Sequence, residues 1–314
     1  FLCFLDASKA FDRVNHVTLF KKLLGRGAPA FLVRILCIWY SQQRLVVRWG
    51  NTLSEPFSIN NGVRQGGILS PYLLNIYMDD LSRKLNACSV GCLNGNASYN
   101  HLMYADDLVI FSLSSRGLQQ LLDFCSEYGL KHDIKYNALK SAIMIVRSKY
   151  HKNLLFPDFM LNDQKLPTSS KVKYLGHIIT DDMRDDQDIM RQCRKMYAQG
   201  NMLRRKFYMC FPDVKVSLLK TFCTPLYTAQ IWWNYRTYNI RKINIAYNDI
   251  MRLLLRLPRY HSAGHLFANI NVLSFYACLR HLVYSFICRL EKSDNIYVAG
   301  LVSVAQSQQR FVSS

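Results

Sequence analysis

The chain has 314 residues, of which 50% are hydrophobic, 13% aromatic and 19% charged, a composition that excludes a disordered tail and predicts a packed globular core. Forty Lys and Arg against 21 Asp and Glu give a net charge of +19, which favours a polyanionic partner, with nucleic acid ahead of an anionic membrane surface. The sequence has no stretch of about 20 predominantly apolar residues, so we expect no membrane-spanning helix and no membrane partner.

Strands and helices alternate in the first part of the chain. The apolar run Phe1–Leu5 predicts a short buried strand, with a helix as the alternative for so short a run. A helix is predicted over 31–40, and a β-rich pair over 44–59 turns at Gly50-Asn51. This alternation predicts a mixed fold rather than an all-helical one.

Two longer helices are marked by the residues at their ends. Ser70 before Pro71 predicts an N-cap, followed by a helix that runs to about residue 85. A second amphipathic helix is predicted to begin after Ser114 or Ser115 and to stop at Gly129.

Three acidic residues lie at the ends of predicted strands. Segments 98–104 and 108–112 flank a tip that carries Asp106 and Asp107, which predicts a hairpin with two carboxylates at its turn. Asp6 ends the first predicted strand, and packing these strands side by side would bring the three carboxylates together. Such a cluster either takes up protons or binds divalent cations such as Mg²⁺. Because two metal ions support in-line nucleotidyl transfer, the cluster indicates chemistry on a nucleic acid.

The rest of the chain becomes helical and basic. Short strands are predicted over 141–146 and 171–180, and the pattern is helical from residue 184 onward. Residues 184–260 hold 15 Lys and Arg against 5 Asp, a net charge of +10. Basic helices with aromatic neighbours suit contact with a nucleic-acid backbone, and a soluble basic bundle is the alternative. The aromatic residues of this stretch are Trp232, Trp233, Tyr235 and Tyr238.

Five motifs, in order along residues 1–180, resemble those of reverse transcriptases of non-LTR, LINE-type retrotransposons. One tetrapeptide would be a weak signal, whereas the ordered set is specific. The motifs are Asp6-Ala7-Ser8-Lys9-Ala10-Phe11-Asp12, Asn61-Gly62-Val63-Arg64-Gln65-Gly66-Gly67-Ile68-Leu69-Ser70-Pro71, Tyr104-Ala105-Asp106-Asp107, Asn137-Ala138-Leu139-Lys140-Ser141 and Tyr174-Leu175-Gly176. The resemblance implies an α+β right-hand palm, an antiparallel sheet with packed helices, followed by a mostly α-helical thumb and C-terminal region.

The resemblance also implies catalytic roles. Asp6 and Asp106 would bind two Mg²⁺ ions, or Mn²⁺ in their place, and Asp107 would support them. Lys140 would donate a proton to the leaving pyrophosphate, with a surface lysine as the alternative. Tyr104 would contact the substrate.

Other motif residues would bind substrate and primer. Phe11 would exclude a ribose 2′-OH and so select deoxynucleotides, with a core side chain as the alternative. Arg64, Gln65 and Gly66 would contact the template base and the incoming nucleotide, because a glycine backbone can approach a ligand closely. A flexible turn is the alternative for this segment. The primer contacts would be Tyr174, Leu175 and Gly176.

A second acidic tetrapeptide is expected to have no catalytic role. Tyr77-Met78-Asp79-Asp80 reads as the YMDD of retroviral reverse transcriptases, but it lies inside the helix predicted after Pro71. Successive helical residues point about 100° apart, so we expect Asp79 and Asp80 to be solvated acids of a helix face. Asp181-Asp182 and Asp185-Asp186 are likewise predicted to be charges of a loop or a helix start.

These features predict an RNA-directed DNA polymerase that adds deoxynucleoside triphosphates to a primer 3′ end on an RNA or DNA template. We assign residues 1–183 to a palm with partial fingers, 184–260 to a basic thumb and 261–314 to a helical extension of unknown role. Only five residues precede Asp6, so we expect the fingers strands that clamp the triphosphate to be missing. The alternatives are an inactive fragment that only binds nucleic acid, a related RNA-dependent RNA polymerase, and an intron maturase.

The cysteines bear on the compartment of the protein. Ten Cys are scattered through apolar segments of a sequence with no secretion signal. This pattern predicts reduced thiols in an intracellular protein. The sequence does not distinguish nucleus from cytoplasm, and it leaves the oligomeric state open.

Overall fold

The computed structural model describes residues 1–94, 97–147, 155–223, 226–232, 237–295, 297–300 and 302–303. The chain divides into two compact units, residues 1–170 and 171–314, whereas the sequence assignment carried the palm to residue 183. Trp233 and Tyr235, two of the aromatic residues of the basic stretch, lie outside the described residues. No helix within the described ranges is long and apolar enough to cross a lipid bilayer.

The first unit is built around an antiparallel sheet. Its helices are α1 (Ala10–Arg13), α2 (His16–Gly25), α3 (Ala30–Ser41), α4 (Ser70–Asn86) and α5 (Ser115–Lys131). Its strands are β1 (Leu2–Ser8), β2 (Arg44–Leu45), β3 (Arg48–Trp49), β4 (Thr52–Leu53), β5 (Phe57–Ser58), β6 (Cys92–Asn94), β7 (Ala97–Tyr99), β8 (His101–Tyr104), β9 (Asp107–Phe111), β10 (Lys135–Tyr136), β11 (Ala142–Met144), β12 (Met160–Leu161) and β13 (Gln164–Lys165). The central sheet has the order β10-β1-β9-β8, and β11 also pairs with β1. The predicted antiparallel sheet with packed helices is confirmed.

Strand β1 lies at the centre of the sheet because its apolar residues are buried on both faces. Cys3 and Leu5 belong to one core cluster together with the inner faces of α4 and α5. The predicted apolar stripe of α4 is confirmed, because its members are fully buried. They are Leu74, Tyr77, Leu81 and Leu85.

Two helix ends differ from prediction. Ser70 does not cap α4 but is its first residue, and its hydroxyl donates to the Arg64 carbonyl instead. Gly129 does not end α5, which continues to Lys131. A Cβ at Gly129 would lie 2.6 Å from the Ile134 carbonyl oxygen, so this glycine permits close packing within the helix.

The acidic pair of α4 is placed in a helix as predicted, but it is not merely solvated. Asp79 forms ion pairs with Arg26 and with Arg83, the latter at 2.7 Å, and Asp80 pairs with Lys22 at 2.7 Å. Although burial would raise the pKa of Asp80, Lys22 and the neighbouring guanidinium groups lower it. These acids therefore connect α4 to α2 and are not part of a hairpin tip.

The second unit begins with a hairpin and is otherwise helical. Its strands are β14 (Lys171–Tyr174) and β15 (His177–Thr180), and its helices are α6 (Asp186–Lys206), α7 (Pro212–Phe222), α8 (Thr237–Leu255), α9 (Ala263–Asn269) and α10 (Phe275–Glu291), with a 3-10 turn at Ala229–Ile231. The prediction of one strand over 171–180 is wrong. Leu175 and Gly176 have φ of 44° and 80°, typical of the type I′ turn that joins two antiparallel strands.

Candidate active site

The three acidic residues predicted from the sequence lie together at one end of the central sheet. Asp6 and Asp107 are direct partners in the antiparallel β1–β9 ladder. Asp106 lies in the two-residue loop of the β8–β9 hairpin, whose first loop residue, Ala105, adopts a left-handed φ of 54°. Tyr104 is the partner of Asp107 across that hairpin, and its side chain is exposed.

The carboxylates interact by repulsion. Burial and the negative charges of Asp106 and Asp6 raise the pKa of Asp107. Within the described part of the chain, no basic side chain forms an ion pair with any of the three. The cluster therefore presents uncompensated negative charge.

The donor chemistry of this cluster fits a divalent cation. Carboxylate oxygens are the ligands that Mg²⁺ prefers, and a cation would relieve the repulsion that raises the pKa of Asp107. In the described ranges, no three His, Cys, Asp or Glu side chains form a closed metal-binding group. The site thus has the charge and the ligand type for a metal, although its side chains do not surround a single point.

A turn that carries Lys140 is attached to Asp6. The Asn137 N–H donates to the Asp6 carbonyl at 2.9 Å, and the Asp6 N–H donates to the Ser141 hydroxyl at 3.1 Å. The Ser141 hydroxyl in turn donates to the Asn137 carbonyl at 2.8 Å. The backbone therefore places Lys140, whose side chain is exposed, in the turn next to the strand end that bears Asp6.

The second motif is fixed against the first through the backbone. The Val63 N–H donates to the Phe11 carbonyl and the Gly62 N–H to the Val14 carbonyl, both at 2.7 Å. Gly62 has a φ of 93°, and a Cβ there would lie 2.8 Å from the Asp12 carbonyl oxygen, so only glycine fits without strain. The half-buried Phe11 packs against the core of the first unit.

Two cavities flank the second motif. Arg64 and Gln65 line a cavity of about 510 Å³ and also a second one of about 700 Å³, and Gly66 lines the larger. Asp12 lines the smaller cavity, but none of Asp6, Asp106 and Asp107 is among the described residues that line either one. The exposed Arg64 and Gln65 therefore line recesses of ligand size beside the second motif.

The predicted primer contacts Tyr174, Leu175 and Gly176 belong to the second unit, where side chains hold their turn. The Arg191 guanidinium donates to the Gly176 carbonyl at 2.6 Å. The Tyr227 ring covers Gly176 so closely that a Cβ would lie 2.7 Å from its Cε1. Contacts of Arg191 and Tyr227 with the backbone of Gly176 therefore fix the conformation of this turn, which we call the clamp.

Sequence reasoning missed the residue that organises this clamp. Asp188, in the first turn of α6, is fully buried and accepts hydrogen bonds from several donors. These are the Ile178 N–H at 3.2 Å, Arg191 Nε at 3.0 Å, Thr228 Oγ1 at 2.9 Å and Trp232 Nε1 at 3.0 Å. The only local signal is the Asp188–Arg191 spacing of three residues, which is common on helix surfaces.

A histidine next to the turn completes this network. His177 Nδ1 lies 3.0 Å from Asp188 Oδ2 in an ion pair without hydrogen-bond alignment, and its Nε2 lies 3.3 Å from Asp185 Oδ1. Burial would lower the pKa of His177, but the two carboxylates raise it to about 9. Burial would raise the pKa of Asp188, but its hydrogen bonds hold it well below the usual range. The prediction that Asp185 is a helix-start charge is confirmed, because it is the residue before α6.

Comparisons with known proteins show which family this chain resembles. The family model described as "Reverse transcriptase (RNA-dependent DNA polymerase)" matches residues 1–179. The chain is 33% identical over 178 residues to the Pol polyprotein of the type-2 retrotransposable element R2DM of Drosophila melanogaster, covering 55% of this chain and 17% of that protein. It is 25% identical over 315 residues to the RNA-directed DNA polymerase from mobile element jockey of Drosophila funebris, covering 97% of this chain and 34% of that protein.

A solved structure and the lengths of the relatives complete the comparison. Apo telomerase from Candida tropicalis aligns over 86% of this chain and 43% of its own, with a TM-score of 0.48 and 15% identity. The chain spans about a sixth to a third of the curated relatives named above. The predicted similarity to non-LTR retrotransposon polymerases is confirmed by the names of these relatives. Because the family model covers more than half of the sequence, the chain belongs to the reverse transcriptase (RNA-dependent DNA polymerase) family.

Proposed function

We propose that this chain supplies the palm and thumb of a LINE-type reverse transcriptase, which adds deoxynucleoside triphosphates to a primer 3′ end on an RNA or DNA template. One observation carries the proposal: Asp6 and Asp107 are register partners, Asp106 lies beside them, and their charges raise the pKa of Asp107, with no basic partner in the described ranges. Carboxylates that repel one another in this way favour a cationic ligand, because a cation relieves the repulsion.

Asp6 and Asp106 would hold two Mg²⁺ ions, or Mn²⁺, with Asp107 in support. Metal ions at such a site stabilise the attacking and leaving oxygens of phosphoryl transfer. Lys140, in the turn bonded to Asp6, would donate a proton to the leaving pyrophosphate. Tyr104, opposite Asp107 in the hairpin, would face the substrate.

The second motif would bind the nucleotide and template. Arg64 and Gln65 line both cavities beside it, and their guanidinium and amide donors suit phosphate and base edges. Gly66 leaves the backbone open to a ligand. Phe11 would close the sugar side against a 2′-OH, since its backbone is bonded directly to this motif.

The basic helices of the second unit would follow the primer–template backbone. Residues 184–260, the proposed thumb, carry a net charge of +10. Such a surface gives sequence-independent affinity for phosphates. The turn Tyr174-Leu175-Gly176, held by Arg191, would contact the primer.

Primer extension on an RNA template with dNTPs and Mg²⁺ tests the proposal. The parent chain should extend the primer, and Asp106→Asn should lower the rate by at least about a hundredfold, because a metal ligand is lost. Asp80→Asn is the matched control, since it removes an acid from the α4 tetrapeptide instead. We expect it to extend like the parent.

Measuring the binding of the primer–template duplex distinguishes the possible outcomes of the primer-extension experiment. If neither the parent nor Asp106→Asn extends a primer that both bind, the chain is a nucleic-acid-binding fragment and the polymerase proposal is wrong. Loss of extension in Asp80→Asn but not in Asp106→Asn would move the catalytic acids to α4.

A further inference from the structure

A basic recess lies in the helical unit, lined by residues to which no individual role has been given above. It is a cavity of about 320 Å³, at the small end of the range for ligand pockets. Three cationic side chains line it, one from each of three elements: Arg204 of α6, Lys215 of α7 and Arg256, which follows α8. Among the described residues that line it, none is acidic.

Lys215 is the unusual member of this recess. Its residue is only 9% exposed, and in the described part of the chain its ammonium group has neither an ion pair nor a hydrogen bond. Most of the Lys215 side chain is covered, while its Nζ keeps access to solvent. Lys22 is another largely covered lysine, and its ammonium pairs with Asp80 and donates to the Tyr77 carbonyl and the Tyr128 hydroxyl. An anion that binds in the recess would therefore give Lys215 the partner that Lys22 already has.

Arg256 is held in place at the wall of the recess. Its guanidinium lies 3.7 Å from the centroid of the Tyr208 ring, and its Nη2 donates to the Tyr208 carbonyl at 2.6 Å. Arg256 also has a left-handed φ of 58°, a conformation that costs free energy in a residue with a side chain. The cation is thus oriented before any ligand binds.

Two acids on the helices that form the recess do not neutralise it. Asp213 lies on α7 two residues before Lys215 but is exposed and does not line the cavity. Asp249 of α8 is paired with Arg252 at 3.1 Å. Three positive charges therefore face a recess whose described wall residues carry no negative charge.

We propose that this recess binds a phosphate group, and that the phosphate belongs to the backbone of the bound nucleic acid. A phosphate offers several acceptor oxygens to cations that converge from different directions, which matches Arg204, Lys215 and Arg256. A free phosphate or nucleotide has the same chemistry. The backbone is the favoured source because the recess lies within the +10 stretch of residues 184–260, and this choice rests on the proposed function.

The first arm of the test measures affinity for a labelled RNA–DNA primer–template, without Mg²⁺ or dNTPs, at several KCl concentrations. Lys215→Gln and Arg204→Gln should each weaken binding by about tenfold. Each should also reduce the slope of log K against log[salt] by about 0.9, the value for one phosphate contact. Arg280→Gln, which removes an exposed cation of α10 in the same unit, should leave affinity within about twofold and the slope unchanged.

The second arm measures the thermal midpoint in potassium phosphate against KCl at equal ionic strength. Phosphate should raise the midpoint of the parent and of Arg280→Gln but not of Lys215→Gln. Lys215→Met keeps the apolar stem and removes the charge, so it should stay folded in KCl and lose the response to phosphate. This variant keeps the test valid if Lys215→Gln does not fold.

The two arms distinguish the sources of phosphate. If phosphate stabilises the parent through Lys215 while duplex affinity does not change in the variants, the recess takes a free phosphate and the backbone assignment is wrong. If the parent binds no duplex but keeps the Lys215-dependent response to phosphate, the proposed function fails and the phosphate site stands. If Lys215→Gln and Lys215→Met change neither response, the site does not exist.

Discussion

The two units hold acidic residues in opposite ways. At the hairpin of the first unit, Asp6, Asp106 and Asp107 are kept together by backbone register, and their side chains have no basic partner in the described ranges. In the second unit, Asp188 is fully buried and satisfied by hydrogen bonds from α6, β15 and the segment near Trp232.

The difference separates acids whose charge is open to a ligand from acids whose charge is used to hold the fold. A carboxylate cluster that repels itself stays available to a cation, because no basic side chain neutralises it. A buried carboxylate with several donors is already satisfied and fixes the elements that carry those donors. In this chain it fixes the Leu175-Gly176 turn, through Arg191. The comparison therefore predicts opposite effects of acid-to-amide substitutions in the two units.

The largest effect is expected at Asp188. Asp188→Asn keeps the shape but leaves Arg191 and His177 without their buried counter-charge, so the free energy of unfolding of the second unit should fall by about 3–5 kcal/mol. Urea unfolding followed by tryptophan fluorescence measures this, because the Trp232 indole donates to Asp188. Asp181→Asn is the control: Asp181 is exposed, and we expect a change within about 0.5 kcal/mol. A loss below about 1 kcal/mol at Asp188 would mean that the clamp does not depend on this charge.

The acidic end of the central sheet could be predicted because its signals are local. The hairpin that carries Asp106 follows from two apolar runs around a short acidic tip, and the buried face of α4 follows from a helical repeat. The Ser114 cap is also confirmed, since its hydroxyl accepts from the Gly117 N–H at 3.1 Å. Each of these patterns is contained within about one element of the chain.

The Asp188 network could not be predicted because its partners are distant in sequence. Thr228 and Trp232 lie 40 and 44 residues after Asp188, and no periodic pattern links them. The turn at Leu175 was missed for a different reason: leucine is rarely left-handed, so its φ of 44° has no sequence signal. Lys215 looked like one basic residue among many, because only packing shows that it lines one recess together with Arg204 and Arg256.

The next largest effect is expected from pH acting on His177. Asp185 and Asp188 raise its folded pKa to about 9 from an ordinary 6.5. The protonated ring therefore stabilises the fold fully below pH 6.5, and this contribution is lost as the pH rises through 9. A pKa difference of this size corresponds to about 3 kcal/mol.

Urea unfolding at pH 6, 7.5 and 9.5 measures the contribution of His177 as the difference between the parent and His177→Gln. This difference in the free energy of unfolding should be large at pH 6 and small at pH 9.5. Other titrating groups, such as buried Cys and Tyr, are present in both proteins and so cancel in the difference. His265→Gln removes an exposed histidine of α9 and should match the parent at each pH. A difference between parent and His177→Gln that stays constant with pH would assign His177 a packing role only.

The smallest effect on stability is expected at the β8–β9 hairpin. There, removing an acid should stabilise the protein, whereas Asp188→Asn should destabilise it. Burial, Asp106 and Asp6 raise the folded pKa of Asp107, so its ionised form costs stability above that pKa, and the cost disappears as the pH falls through it. Asp107→Asn should therefore raise the free energy of unfolding at pH 7, by less than about 1 kcal/mol because the side chain is exposed. The gain should vanish in acid, where the parent carboxyl is also neutral.

Adding Mg²⁺ should reverse the order of stability, so that the parent becomes more stable than Asp107→Asn. A cation that binds only the folded state stabilises it in proportion to affinity, so the parent should gain stability with millimolar Mg²⁺ and the weaker ligand set of Asp107→Asn should gain less. Asp163→Asn, which removes an exposed acid of the same unit, should respond to Mg²⁺ like the parent. If Asp107→Asn is less stable than the parent at pH 7 without Mg²⁺, the carboxylates stabilise the hairpin themselves. The contrast between an unsatisfied acid cluster and the satisfied Asp188 would then be wrong.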